Sequence, residues 1–108
     1  MKADTIEGNK LIAVFEGIEV LDEFNDPDAF NKLSPTAMLP AQLFYETDWN
    51  RLIKSIKKFR DLDLQSPEYK AWVQEIDGSV TDNYDIANQA FPTVVAAITW
   101  YNNQTKLL

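Results

Sequence analysis

Apolar residues recur at helical spacing in three stretches of this chain. In DTIEGNKLIAVFEGI, Leu11, Val14, Phe15 and Ile18 form one stripe, which predicts a helix over roughly residues 5–16. Asp4 and Glu7 have the spacing of a capping box at its start. Gly8 weakens the first turn, and Gly17 is a C-terminal stop that leaves Ile18 just past the helix. In LFYETDWNRLIKSIKKFRDL the period changes. Leu43 to Tyr45 reads as a short strand, and Thr47 or Asp48 then caps a helix over roughly residues 48–61. Its apolar face is Trp49, Leu52, Ile53, Ile56 and Phe59. A last helix begins near Asp85 and runs to about Asn103 on a stripe of Ile86, Ala90, Val94, Ile98 and Tyr101, widened by Phe91 and Val95. Pro92 lacks an amide hydrogen, so it kinks this helix or marks its true start. Ala96 and Ala97 are small enough for another element to approach.

The intervening stretches are less periodic. Residues 19–42 hold Pro27, Pro35 and Pro40 and the turn signal Asn-Asp-Pro-Asp. They read as a surface excursion with short strands near Val20 and Met38, anchored by Phe24, Phe30, Leu33 and Leu39. AWVQEIDGSVT reads as a hairpin. Asp77-Gly78 would be its type I′ turn, Trp72 to Ile76 one arm and Ser79 to Thr81 the other. The expected fold is therefore α+β: one domain, residues 1–108, built as a small layered α/β/α sandwich with two to three helices packed on a short antiparallel sheet.

Composition narrows the chemistry more than it narrows the fold. The chain has neither cysteine nor histidine, so thiolate metal sites, disulfides, thiol nucleophiles and the usual Ser-His-Asp triads are excluded. No cofactor is expected. The absence of cysteine fits a cytoplasmic location, and MKADTIEGNK lacks the apolar core of a signal peptide. No apolar run approaches the length of a membrane span. The net charge of −7 disfavours nucleic acid and anionic membranes as partners.

Three segments together resemble a known family. NKLIAVFEG at Asn9 to Gly17, LFYETDWNRLIKSIKKF at Leu43 to Phe59 and VVAAITWYNN at Val94 to Asn103 come in the order found in the phage ABA sandwich domain. Its members resemble NKLIAEFMG, then Y-x-x-S/D-W-x-W-L, then VVEFIKWYN. Tyr45, Asp48, Trp49 and Leu52 fit the middle pattern, and Val94, Val95, Ile98, Trp100, Tyr101 and Asn102 fit the last. Arg51 stands in place of the second Trp, Glu46 in place of a frequent His, and Pro92 where a helix former is usual. The resemblance implies an α/β/α sandwich encoded by a phage, prophage or gut-type bacterium. It brings no activity and no catalytic residues.

Four features are candidates for chemistry. Asp22, Glu23, Asp26 and Asp28 lie in an acidic stretch, but their spacing is not that of an EF-hand, and a solvated loop is the simpler reading. Asp77, Ser79, Thr81 and Asn83 alternate as calcium ligands do, although Asp82 stands where glycine is wanted, and a turn followed by a helix cap accounts for them. Five of the ten basic residues fall between Arg51 and Arg60, whereas residues 1–28 hold eight acids and two lysines. Arg51, Lys54 and Lys58 are helical neighbours able to bind a small anionic, nucleotide-like ligand or an acidic partner, or to form a solvated face. Trp100 shares a face with Ala96 and Ala97, where it either packs over the alanines or offers a platform to a partner.

The expected function is a non-catalytic protein-interaction module, an accessory protein of a phage, mobile element or bacterium. Self-association through Trp100, Tyr101 or a sheet edge is one form of it. Anionic-ligand binding through residues 51–60 is the alternative. A metal-dependent hydrolase using clustered acids ranks below both, because nothing in the spacing selects a pair of carboxylates.

Overall fold

Residues 3–80 and 86–106 are described by a computed structural model. Helix α1, Ala3–Phe15, ends where the sequence expects. Gly17 takes a left-handed conformation with φ 82°. Its amide donates to the carbonyl of Val14 at 3.0 Å, and the Ile18 amide donates to that of Ala13 at 2.8 Å. This paired closure satisfies the last carbonyls of the helix, and glycine adopts it without a Cβ clash. The start differs from expectation. The helix is already running at Ala3, so Asp4 lies inside it and is not its cap. The buried stripe is also rotated. Ile12 and Ala13 are fully buried, Leu11, Phe15 and Ile18 partly so, and Val14 is exposed.

Strands form near Val20 and Met38, but each has only two residues. Strand β1, Glu19–Val20, pairs in parallel with β2, Ala37–Met38. The connection between them carries a 3-10 turn at Ala29–Lys32 and a small satellite core of Leu21, Ala29, Ala37 and Leu39. Of the four expected anchors only Leu39 is buried. Phe24, Phe30 and Leu33 are exposed.

The stretch from Leu43 to Tyr45 is not a strand. It has the alternation of one, with Leu43 and Tyr45 buried and Phe44 exposed. Its backbone is satisfied differently, because the Tyr45 amide donates to the Asn9 side chain at 3.0 Å. A side-chain acceptor there replaces a neighbouring strand.

Helix α2, Trp49–Asp61, matches its expectation. Asp48 is the N-cap and accepts from the Arg51 amide, and Leu52, Ile56 and Phe59 are buried. The buried Ser55 was not legible from the stripe. Its hydroxyl turns back to the Leu52 carbonyl at 2.7 Å.

The largest departure follows. Residues Pro67–Ser79 form helix α3, not a hairpin. Ser66 caps it by accepting from the Tyr69 amide at 3.1 Å, and Pro67 occupies the first turn, where its missing N–H costs nothing. Tyr69, Trp72, Val73 and Ile76 then share one face at helical spacing, with Tyr69 and Ile76 buried. Asp77-Gly78 makes a hairpin turn only between extended arms. Here it falls in the last helical turn, where glycine is tolerated.

The Tyr69 hydroxyl also closes α2. It donates to the carbonyls of Phe59 and Arg60, at 2.6 and 2.7 Å, and accepts from the Asp63 amide at 3.2 Å. Tyr69→Phe keeps the ring packing on Phe59, centroids 5.2 Å apart, and removes only these bonds. The expected cost is about 1 kcal/mol, read as a lower urea midpoint with an unchanged slope.

Helix α4, Ile86–Lys106, runs through Pro92 without a break, so that residue is not the helix start. The expected start at Asp85 lies outside the described residues. α4 packs against α1, α2 and α3. Ala90, Phe91, Val94, Ala97 and Ile98 are buried along it. An aromatic chain crosses the molecule at one end: Tyr101 meets Phe15 edge-on at 5.9 Å, Phe15 lies 6.4 Å from Phe59, and Phe59 stacks near Tyr69. Among the described residues the fold is thus mostly helical, four α-helices with α4 at the centre and one two-stranded parallel sheet at the side. It is not a layered sandwich on an antiparallel sheet. The physical reason is that the expected hairpin and third strand supply no sheet for helices to cover. The apolar faces of α1, α2 and α3 bury against α4 instead.

Candidate functional site

The three basic residues singled out on α2 do share a face, but that face is already engaged. Arg51 donates through Nη1 to the Gln42 carbonyl at 2.7 Å and places Nε 3.5 Å from Asp48 Oδ2. Lys58 donates to the Phe15 carbonyl at 2.5 Å and lies 5.3 Å from the centre of the Phe15 ring. It closes the C-terminus of α1, where a cation complements the helix dipole. Lys54 is exposed. All three cations act on Glu16, which is half-buried and has one carboxylate oxygen enclosed without a hydrogen-bond partner among the described residues. The positive charge of this face thus acts on a carboxyl of the protein itself.

Burial raises the Glu16 carboxyl above its ordinary value of 4.5. Lys54, Lys58 and Arg51, and then the Tyr45 hydroxyl, offset part of that rise. Tyr45 is pushed upward in turn, first by its burial and then by the Glu16 charge. A carboxyl whose folded pKa is raised binds its proton more tightly in the folded state. Its contribution to stability is complete below the unfolded value and is lost as pH rises through the folded one. Between those two values the wild type is expected to lose more stability with rising pH than Glu16→Gln does. Urea midpoints of both proteins across that window measure the difference, and parallel profiles would contradict the assignment.

Trp100 is partly buried against the main core. Packing on the main core describes it better than a solvent-facing platform. Asp77 and Ser79 lie on α3, with the Ser79 hydroxyl bonded to the Ile76 carbonyl at 2.6 Å. Thr81 and Asn83 lie outside the described residues. Two of the acids of residues 22–28, Asp22 and Asp26, turn onto their own loop. Asp26 accepts from the Asp28 amide at 3.0 Å and from Lys32 at 2.5 Å. Among the described residues no group of three or more acids converges so as to hold a metal ion. No helix there is long and apolar enough to cross a membrane.

Asp22 has a different use. Its Oδ1 accepts from the amides of Phe24 and Asn25 at 3.0 and 3.3 Å, and its Oδ2 accepts from the Asn25 side chain at 2.5 Å. The side chain of Asn25, then the Phe24 amide, hold the Asp22 carboxyl below the usual carboxylate range. These bonds build a tight turn that presents Phe24 outward at 90% exposure. Phe24 borders a groove of about 720 Å³ lined also by Ile6 and Lys10 of α1, by Val20 and Leu21, and by Pro40.

This groove was not found from the sequence. One signal was present in Phe24 itself: an aromatic residue inside DEFNDPD has only acidic and amide residues within two positions on either side. No protein-family model, curated protein or solved structure matches this chain, so the site is read on its chemistry alone.

Proposed function

We propose that this protein is a non-catalytic protein-binding module that docks a partner polypeptide in the groove beside Phe24. One observation carries the proposal. A large aromatic side chain stands almost fully in solvent on a turn braced by three hydrogen bonds, at the mouth of an apolar groove. Exposing an aromatic ring has no folding benefit, and a rigid aromatic beside a groove is the usual form of an interface anchor. The basic face of α2 is a weaker basis for function. Two of its three cations bond to backbone carbonyls, and the charge of all three lowers the Glu16 carboxyl.

Panning a random-peptide display library on the purified protein, with Phe24→Ser as the counter-target, tests the proposal. Phe24 contributes little to the core, so the variant should keep its urea midpoint within about 0.5 kcal/mol of wild type. Peptides selected on the wild type should bind Phe24→Ser roughly thirtyfold more weakly, the effect of losing an anchor worth about 2 kcal/mol. Equal binding to both proteins, or no selection at all, overturns the proposal.

A further inference from the structure

The groove has chemical features that restrict its occupant, and the inference drawn from them rests on the reading of the groove as a docking site. The first feature is the free edge of β1. The Glu19 amide donates to Thr36 and the Leu21 amide to Met38, both at 2.8 Å, in a register that sets Glu19 opposite Ala37 and Val20 opposite Met38. Backbone groups of successive strand residues point to opposite edges. The N–H and C=O of Val20 therefore point away from β2, on the side where no strand pairs among the described residues, and Val20 lines the groove. An extended backbone laid there gains main-chain hydrogen bonds as well as apolar contact.

The second feature is charge. Asp22 and Glu23 line the groove, and Glu19 is exposed at the same strand. Among the described residues that line the groove Lys10 is the only cation, and Glu7 lies 3.5 Å from it. The rim is therefore acidic. A second copy of this chain seated face to face would bring the same acids against their counterparts, and like charges brought together at an interface oppose association. A cationic partner meets the opposite sign.

We infer that the groove between α1 and residues 20–25 receives an extended, cationic polypeptide segment, which adds as a strand along the free edge of β1. Its apolar side chains pack on Ile6, Val20 and Phe24, and its basic residues lie over Glu19 and Glu23.

The test uses the peptides selected by panning on the intact protein. Their composition should be net positive, with apolar residues at alternate positions. Binding should weaken with added salt. It should also fall by about tenfold on Glu23→Lys, a surface change that spares the fold. Hydrogen exchange at the Val20 amide should slow in the complex, and N-methylation of alternate peptide residues should abolish binding. If the selected peptides need Phe24 but are neutral or acidic, bind as helices or leave Val20 exchange unchanged, this inference falls and the docking proposal stands. If no selected peptide depends on Phe24, both fall. If the protein alone shows a concentration-dependent mass that Phe24→Ser removes, the occupant is a second copy and the inference is overturned.

Discussion

Gly8→Val is expected to be the most damaging single substitution in this protein, with a loss of about 3 kcal/mol or more. Gly8 is buried where α1 meets α4. A Cβ built there lies 2.7 Å from Cζ of Phe91, 3.2 Å from its Cε1 and 3.0 Å from Cγ2 of Val95. The first of these distances requires something to move. The Phe91 ring is itself buried, and Val95 is fixed on the same helix, so neither yields freely. Gly8→Ala sets two effects against each other. Alanine improves helix propensity by about 1 kcal/mol, whereas overpacking costs roughly 1–3 kcal/mol. A net loss of about 1 kcal/mol is expected. Phe91→Leu removes the ring tip that the new Cβ meets, so the double variant should be more stable than the sum of the single losses allows. Urea denaturation of the four proteins checks this. Strict additivity, or a stable Gly8→Val, would show that α1 and α4 are not in this contact.

Asn9→Ala should cost about 2–3 kcal/mol. Asn9 is buried at 1% exposure, and both ends of its amide are used. Its oxygen accepts the Tyr45 amide at 3.0 Å, and its nitrogen donates to the Glu46 carboxylate at 2.6 Å. Alanine leaves the buried Tyr45 N–H without a partner and opens a small cavity. Asn9→Asp separates the two roles. It retains an acceptor for Tyr45 but sets a second carboxylate against Glu46. It should therefore be destabilised at neutral pH and recover as acidification protonates one of the pair. Thermal melts of Asn9→Asp and wild type between neutral and acidic pH measure the recovery. A variant that falls in parallel with wild type on acidification would argue against the contact with Glu46.

Asn9 and Gly8 show why part of the fold was illegible. In sequence, Gly8 is a poor helix former in a first turn and Asn9 is a polar residue at the edge of an apolar stripe. Neither has a local reason to be where it is. The reason in each case is a residue far along the chain, at Phe91 or at Tyr45. The same holds for the site. Residues 22–28 were legible as a loop with a turn signal at 25–28, whereas the turn at 22–25 rests on Asp22 accepting from the Phe24 and Asn25 amides. The groove beside it needs Ile6, Val20 and Pro40 to converge, and no pattern of adjacent residues encodes that.

Helix α3 is a separate case, because its signals were local but conflicting. Ser66 and Pro67 mark a helix start, Asp77-Gly78 marks a turn, and the spacing of Tyr69, Trp72, Val73 and Ile76 decides between them. Burial of Tyr69 against the end of α2 and of Ile76 in the main core favours the helix over a hairpin.

What the sequence alone determined is what short-range physics controls. It set a cap at Thr47 or Asp48 and the apolar face of α2, the glycine closure of α1 at Gly17, a last helix with a continuous apolar stripe, and short strands near Val20 and Met38. The lack of cysteine and histidine set limits on the chemistry without any structure. The tertiary structure decided how these pieces combine. It made the strands parallel, turned the expected hairpin into a helix, used Arg51 and Lys58 to hold carbonyls, and left Phe24 in solvent above a groove. The division follows from range. Caps, turns and amphipathic faces are selected by residues within about one or two helical turns. Burial and charge pairing are selected by residues that only folding brings together.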